Sequence, residues 1–106
     1  MKEIPNLIYL NQLSNNDKTV SNRLMLVLQE EIQEEIESYN LKIFQNDFVS
    51  AAEMVHKLRH KIGFLGMEQA YNMSSQFEQN LRFNSLNLKD EFELVLEVIK
   101  EFILKH

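Results

Sequence analysis

Two glycines and one proline in 106 residues leave this chain few places to turn. A β-rich domain needs many more of both, because hairpins and strand ends draw on them. The scarcity therefore predicts long helices with few connections. Pro5 opens a short predicted helix to about Leu13, with Leu7, Leu10 and Leu13 on its apolar side. Ser14-Asn15-Asn16-Asp17 then reads as a turn and N-cap. From Ser21 to about Gln45, Leu24, Leu28, Ile32, Ile36, Tyr39 and Ile43 recur at the spacing of one helical face. Glu30, Glu31, Glu34 and Glu35 fall on the wet face of that helix.

Asn46-Asp47 is the next break, with Asp47 as N-cap. Ala51, Val55, Leu58, Ile62 and Leu65 continue the helical period from Phe48, and Gly66 is the expected terminator. A further helix carries Met67, Ala70, Ser74, Phe77 and Leu81 on one face. After the connection Asn84 to Asn87, the last helix runs from Lys89 to about Lys105, with Phe92, Val95, Leu96, Ile99, Phe102 and Ile103 inward. Four apolar stripes joined by short links are buried together in an antiparallel arrangement. The expected fold is all-α: one domain over 1-106, an antiparallel four-helix bundle with a short N-terminal helix capping one end. Short links favour this over a coiled-coil dimer and predict a monomer.

The remaining totals exclude whole classes of function. A net charge of -5 argues against general nucleic-acid binding. Without cysteine there is no disulfide, thiolate metal site or thiol nucleophile. No segment reads as a membrane span or signal peptide, so the expected location is cytoplasmic.

Against that acidic background stands Val55 to Gly66, VHKLRHKIGFLG. It holds two histidines, two lysines, one arginine and both glycines, and no acid. At 100° per residue the apolar direction of this helix lies about 130° from His56. Ala52, Arg59, His60 and Gly63 fall within about 60° of His56. An exposed stripe is therefore expected, with a histidine flanked by small residues and cations. Glycine inside a helix costs about 1 kcal/mol relative to alanine. Gly63 would repay it by letting another molecule approach His56, by admitting a neighbouring helix, or by ending the helix early. A neutral imidazole is a competent nucleophile, and Lys57 and Arg59 can pair with phosphate oxygens. The pattern suits a histidine that accepts a phosphoryl group.

The chain resembles the histidine-containing phosphotransfer (HPt) domain family from about Leu7 to Phe102. The family motif reads His-x-Leu-Lys-Gly-Ser, with a glycine ten residues after the histidine. His56-Lys57-Leu58-Arg59 matches its start, with arginine for lysine, and Gly66 is the later glycine. Asp47 matches the family's acidic helix start. Ser74, Phe77 and Glu78 match the partner helix, and Leu10 and Leu13 an N-terminal leucine pair. The departures are His60 where the family has glycine and Lys61 where serine is common.

The resemblance implies a phosphorelay intermediate without kinase activity of its own. His56 would take a phosphoryl group from the phospho-aspartate of a response-regulator receiver domain and pass it to a second receiver. Receivers, and a hybrid histidine kinase carrying one, are the implied partners. Arg59 would steady the phosphoryl group and Lys57 would add field. Glu78 would orient the imidazole through its other nitrogen, with Arg82 one turn beyond. His60, a contact residue or proton partner, places bulk on the docking surface. His56 is favoured over His60 as acceptor because the leucine, Arg59 and Gly66 spacings count from it. The Mg²⁺ of such transfers belongs to the receiver, so neither metal nor other cofactor is expected.

Two rivals remain. His56 and His60 at i, i+4 could share a metal ion, and Glu53-Met54-Val55-His56 has the di-iron Glu-x-x-His spacing. The di-iron element needs a second copy and inward glutamates, and Lys57, Arg59 and Lys61 repel a cation. The other rival is a helical adaptor that binds receivers or other partners without being phosphorylated.

Overall fold

The computed structural model describes residues 3–106, which are 78% helix with no strand. Five helices follow in order: α1 (Ile8–Leu13), α2 (Lys18–Phe44), α3 (Phe48–Phe64), α4 (Glu68–Arg82) and α5 (Lys89–Leu104). Their starts are set by local chemistry. The Asp17 carboxylate accepts the Thr19 and Val20 N–H groups at 2.9 and 3.3 Å, so α2 begins three residues before Ser21. The Asp47 carboxylate accepts the Ser50 N–H at 3.2 Å at the head of α3. The hydroxyl and N–H of Ser50 hold the Asp47 carboxyl below the usual carboxylate range.

The expected helix from Pro5 starts only at Ile8. Two contacts keep the chain ahead of it out of the helix. The Asn6 N–H donates to the Leu65 carbonyl at 2.8 Å, and the Asn6 side-chain oxygen accepts the Ile8 N–H at 3.1 Å. This N-terminal strap crosses the turn between α3 and α4. Its Glu3 carboxylate accepts the Gln69 and Ala70 N–H groups at 2.6 and 2.8 Å. Met67, the N-cap of α4, has no capping side chain, so Glu3 satisfies two orphan donors from a distance. Gly66 takes φ +79°, and a Cβ there would run into the Asn6 side chain. It ends α3 as expected and also admits the strap.

The low glycine count does not mean that left-handed turns are few. Asn15, Asn16, Asn46 and Asn84 all have positive φ, as does Leu88. Asparagine tolerates this region better than other residues with a Cβ. Leu88 does not, and it is held there partly buried against the core at the head of α5.

α3 packs between α2 and α4, and α5 packs on α4 and α2. Cross-helix contacts give the directions. Lys61 of α3 meets Glu31 and Glu35 of α2. The Gln29 side chain donates to the Ile103 carbonyl at 2.7 Å, while Tyr39 donates to Glu93 at 2.9 Å, so α2 and α5 run antiparallel. Tyr39, Phe77 and Phe92 form an aromatic cluster at the core, with centroids 5.1 to 6.3 Å apart. Around it lie the expected stripes: Leu28, Ile32 and Ile36 of α2, then Ala51, Val55, Leu58 and Ile62 of α3. Ala70, Phe77 and Leu81 of α4 and Phe92, Val95, Leu96, Ile99 and Ile103 of α5 complete it. Leu13 was expected inward but is 57% exposed, because α1 is short and only Leu10 reaches the core.

Candidate functional site

α3 and α4 form an antiparallel pair about their turn, so residues equally distant from Met67 face each other. Gly63 thereby meets Tyr71, and His56 meets Glu78. The His56 side chain is 46% exposed, and its Nδ1 lies 3.1 Å from Oε1 of Glu78, which is only 14% exposed. A carboxylate only accepts, so this contact is a hydrogen bond when Nδ1 carries the proton. That tautomer leaves a lone pair on Nε2, the nitrogen on the outer edge of the ring.

Glu78 gathers three side chains. Besides His56, Arg59 Nε lies 3.7 Å from Oε1, and Arg82 Nη2 donates to Oε2 at 3.2 Å. Arg59 is half-buried, where the helical projection placed it on an open stripe. Its guanidinium lies 5.0 Å from the centroid of the Tyr71 ring and 3.4 Å from the Tyr71 hydroxyl. Nη2 of the same group lies 3.2 Å from His56 Nδ1. Arg59 Nε is buried without a hydrogen-bond partner. The guanidinium is thus held beside the imidazole by packing as much as by hydrogen bonds. Lys57 is exposed and takes no part in these contacts.

His60 lies one turn on, exposed, with its Nε2 3.2 Å from Nε2 of His56. The two rings meet edge to face, 4.8 Å between centroids. The Nε2 edge of His56 is therefore in contact with a second imidazole. Beyond His60 the surface becomes apolar, and Leu24, Val27 and Phe64 line a shallow depression between α2 and α3.

Two expectations at the site need correction, and one of the alternatives for Gly63 gains support. Ala52, expected on the exposed stripe, is fully buried, because α3 is covered by both α2 and α4 and so buries a wider arc than one apolar axis implies. Glu35, expected in solvent, pairs with Lys61 at 2.7 Å. Gly63 is exposed, and of the roles open to it the approach of the neighbouring helix has direct support. A Cβ there would stand 2.9 Å from Tyr71 Cδ2, so the glycine admits the neighbouring helix. Tyr71 is the contributor that sequence reasoning missed. A helix-interior glycine opposite an aromatic across a short helical turn was the available signal.

Other family-matched positions have structural work in this fold. Asp47 caps α3, and the buried Ser74 hydroxyl donates to the Ala70 carbonyl at 2.7 Å. Among the described residues no group of three or more histidine, aspartate or glutamate side chains is placed to hold a metal ion. No helix among them is long and apolar enough to cross a membrane. Comparison of the chain with protein-family models, with curated proteins and with solved structures returns no match.

Proposed function

We propose that this protein is a phosphorelay intermediate of the HPt type, a four-helix bundle working in the cytoplasm between receiver domains. One observation carries the reading: His56 stands exposed, its Nδ1 on the Glu78 carboxylate and the Arg59 guanidinium beside it. Nε2 would attack the phosphorus of a receiver's aspartyl phosphate. The new bond is N–P; the bond that breaks joins phosphorus to the aspartyl oxygen, which leaves as carboxylate. The ring keeps its Nδ1 proton and becomes cationic, and Glu78 offsets that charge. Arg59, held beside Nδ1 of the ring, and the exposed Lys57 would add positive charge near the transferring phosphoryl oxygens, so the protein's part is positioning and charge stabilisation. The apolar depression beside His60 gives a receiver somewhere to rest next to the acceptor.

The test is transfer from a phosphorylated receiver domain to the purified chain, with the label located by mass spectrometry. An acid-labile, base-stable phosphate on His56, absent from His56→Gln, is the expected result. Label that persists in His56→Gln and disappears in His60→Gln would move the acceptor one turn. A folded protein that no receiver labels would refute the relay.

A second reading has its own support. The Nε2 contact between His60 and His56 occupies the edge a phosphoryl group needs. A chain that kept this contact would act as an adaptor, binding receivers without taking their phosphate. Binding without labelling identifies it.

A further inference from the structure

The contact between the two histidines has a second use. Glu78 favours the His56 tautomer with Nδ1 protonated, so the Nε2 lone pair of His56 faces His60. In the hydrogen-bonded arrangement His60 supplies the proton from its own Nε2. His60 is exposed, and moving that proton to its Nδ1 turns a second lone pair toward the first. Two lone-pair nitrogens then lie 3.2 Å apart, and side-chain rotation out of the edge-to-face arrangement brings them onto one point.

We propose that His56 and His60 form a two-histidine site for a divalent transition ion of the zinc, nickel or copper kind, with water in the remaining positions. The separation fits. With metal–nitrogen bonds of about 2.0–2.1 Å, two nitrogens 3.2 Å apart close an angle of about 100° at the metal. That lies between the right angle of square-planar or octahedral coordination and the tetrahedral angle. Both rings stand on one helix, one turn apart, and need only side-chain rotation to converge. Glu78 on the opposite nitrogen of His56 is the partner that metal-bound imidazoles use to fix their tautomer and raise their basicity. Imidazole ligands select these ions over Mg²⁺ and Ca²⁺, which take oxygen.

The sequence argued against a metal because Lys57, Arg59 and Lys61 surround the pair. The fold answers most of that objection. Lys61 is turned to α2, where Glu35 and Glu31 hold its ammonium at 2.7 and 3.5 Å. Arg59 lies against the Tyr71 ring and beside Glu78. Arg59 stays near the ring, but its Nη2 lies 3.2 Å from Nδ1, the nitrogen opposite the metal-facing Nε2, and Lys57 is solvent-exposed.

The ion would occupy the same Nε2 that attacks phosphorus, so metal and phosphoryl group exclude each other. This consequence rests on the relay reading; the site itself does not. The test is calorimetric titration of the whole chain with NiCl2, with MgCl2 as control. Wild type and His106→Gln should bind one Ni²⁺. His56→Gln and His60→Gln, which are surface changes that leave the helical circular dichroism intact, should each bind at least about tenfold more weakly. Equal Ni²⁺ affinity in wild type and His60→Gln, equal binding of Mg²⁺, or no Ni²⁺ binding up to about 1 mM would each overturn the site. In the transfer assay, Ni²⁺ should slow labelling of wild type and leave His60→Gln unaffected. That difference separates an effect at these histidines from one on the receiver. Metal binding without any labelling would refute the relay alone; labelling without metal binding would refute the metal site alone.

Discussion

Replacing Gly63 with alanine sets two effects of known size against each other. Alanine in a helix interior gains about 1 kcal/mol over glycine. At this position the new methyl would stand 2.9 Å from Cδ2 of Tyr71, 3.4 Å from Cε2 and 3.7 Å from Cγ. It meets the root of the ring as well as its edge, so Tyr71 must move as a whole. Overpacking of this kind typically costs about 1–3 kcal/mol. Gly63→Ala in the native background should therefore range from neutral to about 2 kcal/mol destabilising. In a Tyr71→Ala background the methyl meets no ring, and the full gain of about 1 kcal/mol should return. The double-mutant cycle should give a coupling of at least about 1 kcal/mol, read from urea unfolding midpoints at constant slope. In thermal melts that is a relative difference of roughly 4–8 °C. Equal stabilisation by Gly63→Ala in both backgrounds would refute the packing argument and reopen the view of Gly63 as clearance for a partner.

Glu78→Gln keeps the shape of the contact to His56 but removes the charge that offsets an imidazolium. The loss is about 1 kcal/mol on a half-exposed ring, so phosphoryl transfer should slow about 5- to 10-fold, with some loss of melting temperature because Glu78 also pairs Arg59 and Arg82. A rate within about twofold of wild type would remove Glu78 from the mechanism. Ile62→Asp places an unpaired charge at a fully buried position and should abolish the helical circular dichroism, at a cost above about 4 kcal/mol. A folded Ile62→Asp protein would mean that the phase of α3 is wrong. Burial first, and then the hydrogen bond to Glu93, push the Tyr39 hydroxyl well above the ordinary tyrosine value of 10.0. Above that value the unfolded chain loses the proton and the folded chain keeps it. Stability should therefore fall with rising pH, by at most about 1.4 kcal/mol per pH unit. Tyr39→Phe should flatten the fall in urea midpoints above about pH 10, and an unchanged slope would refute it.

All five helices were legible in apolar spacing, and α2 and α3 announce themselves a second time, in a capping aspartate and, for α3, a terminating glycine. Asp17, Asp47 and Gly66 set boundaries that the pattern alone leaves loose by a few residues. Side-chain direction was legible along the centre of each main apolar stripe and failed at the margin of the stripe of α3, which α2 and α4 bury from two sides. A single apolar axis places His56 outside correctly and misplaces Ala52, because it has no room for the second partner of α3. Contacts of high sequence separation left no local trace. Nothing in the order of residues brings Glu3 to the head of α4, or lays Tyr71 on Gly63 and Arg59. The pairing of His56 with Glu78 was available only through the family resemblance and the symmetry of a helical hairpin.

Asparagine in place of glycine at the turns gives this fold room to evolve. Asn15, Asn16, Asn46 and Asn84 each hold a Cβ in a backbone region that only glycine enters freely. A single change to glycine at any of them relieves that strain, offset in part by the greater freedom of the unfolded chain. All four positions are exposed and away from His56 and its neighbours. A lineage that altered the basic face of α3 for a new partner, losing stability as functional changes usually do, could regain it at the turns without touching the core or the site.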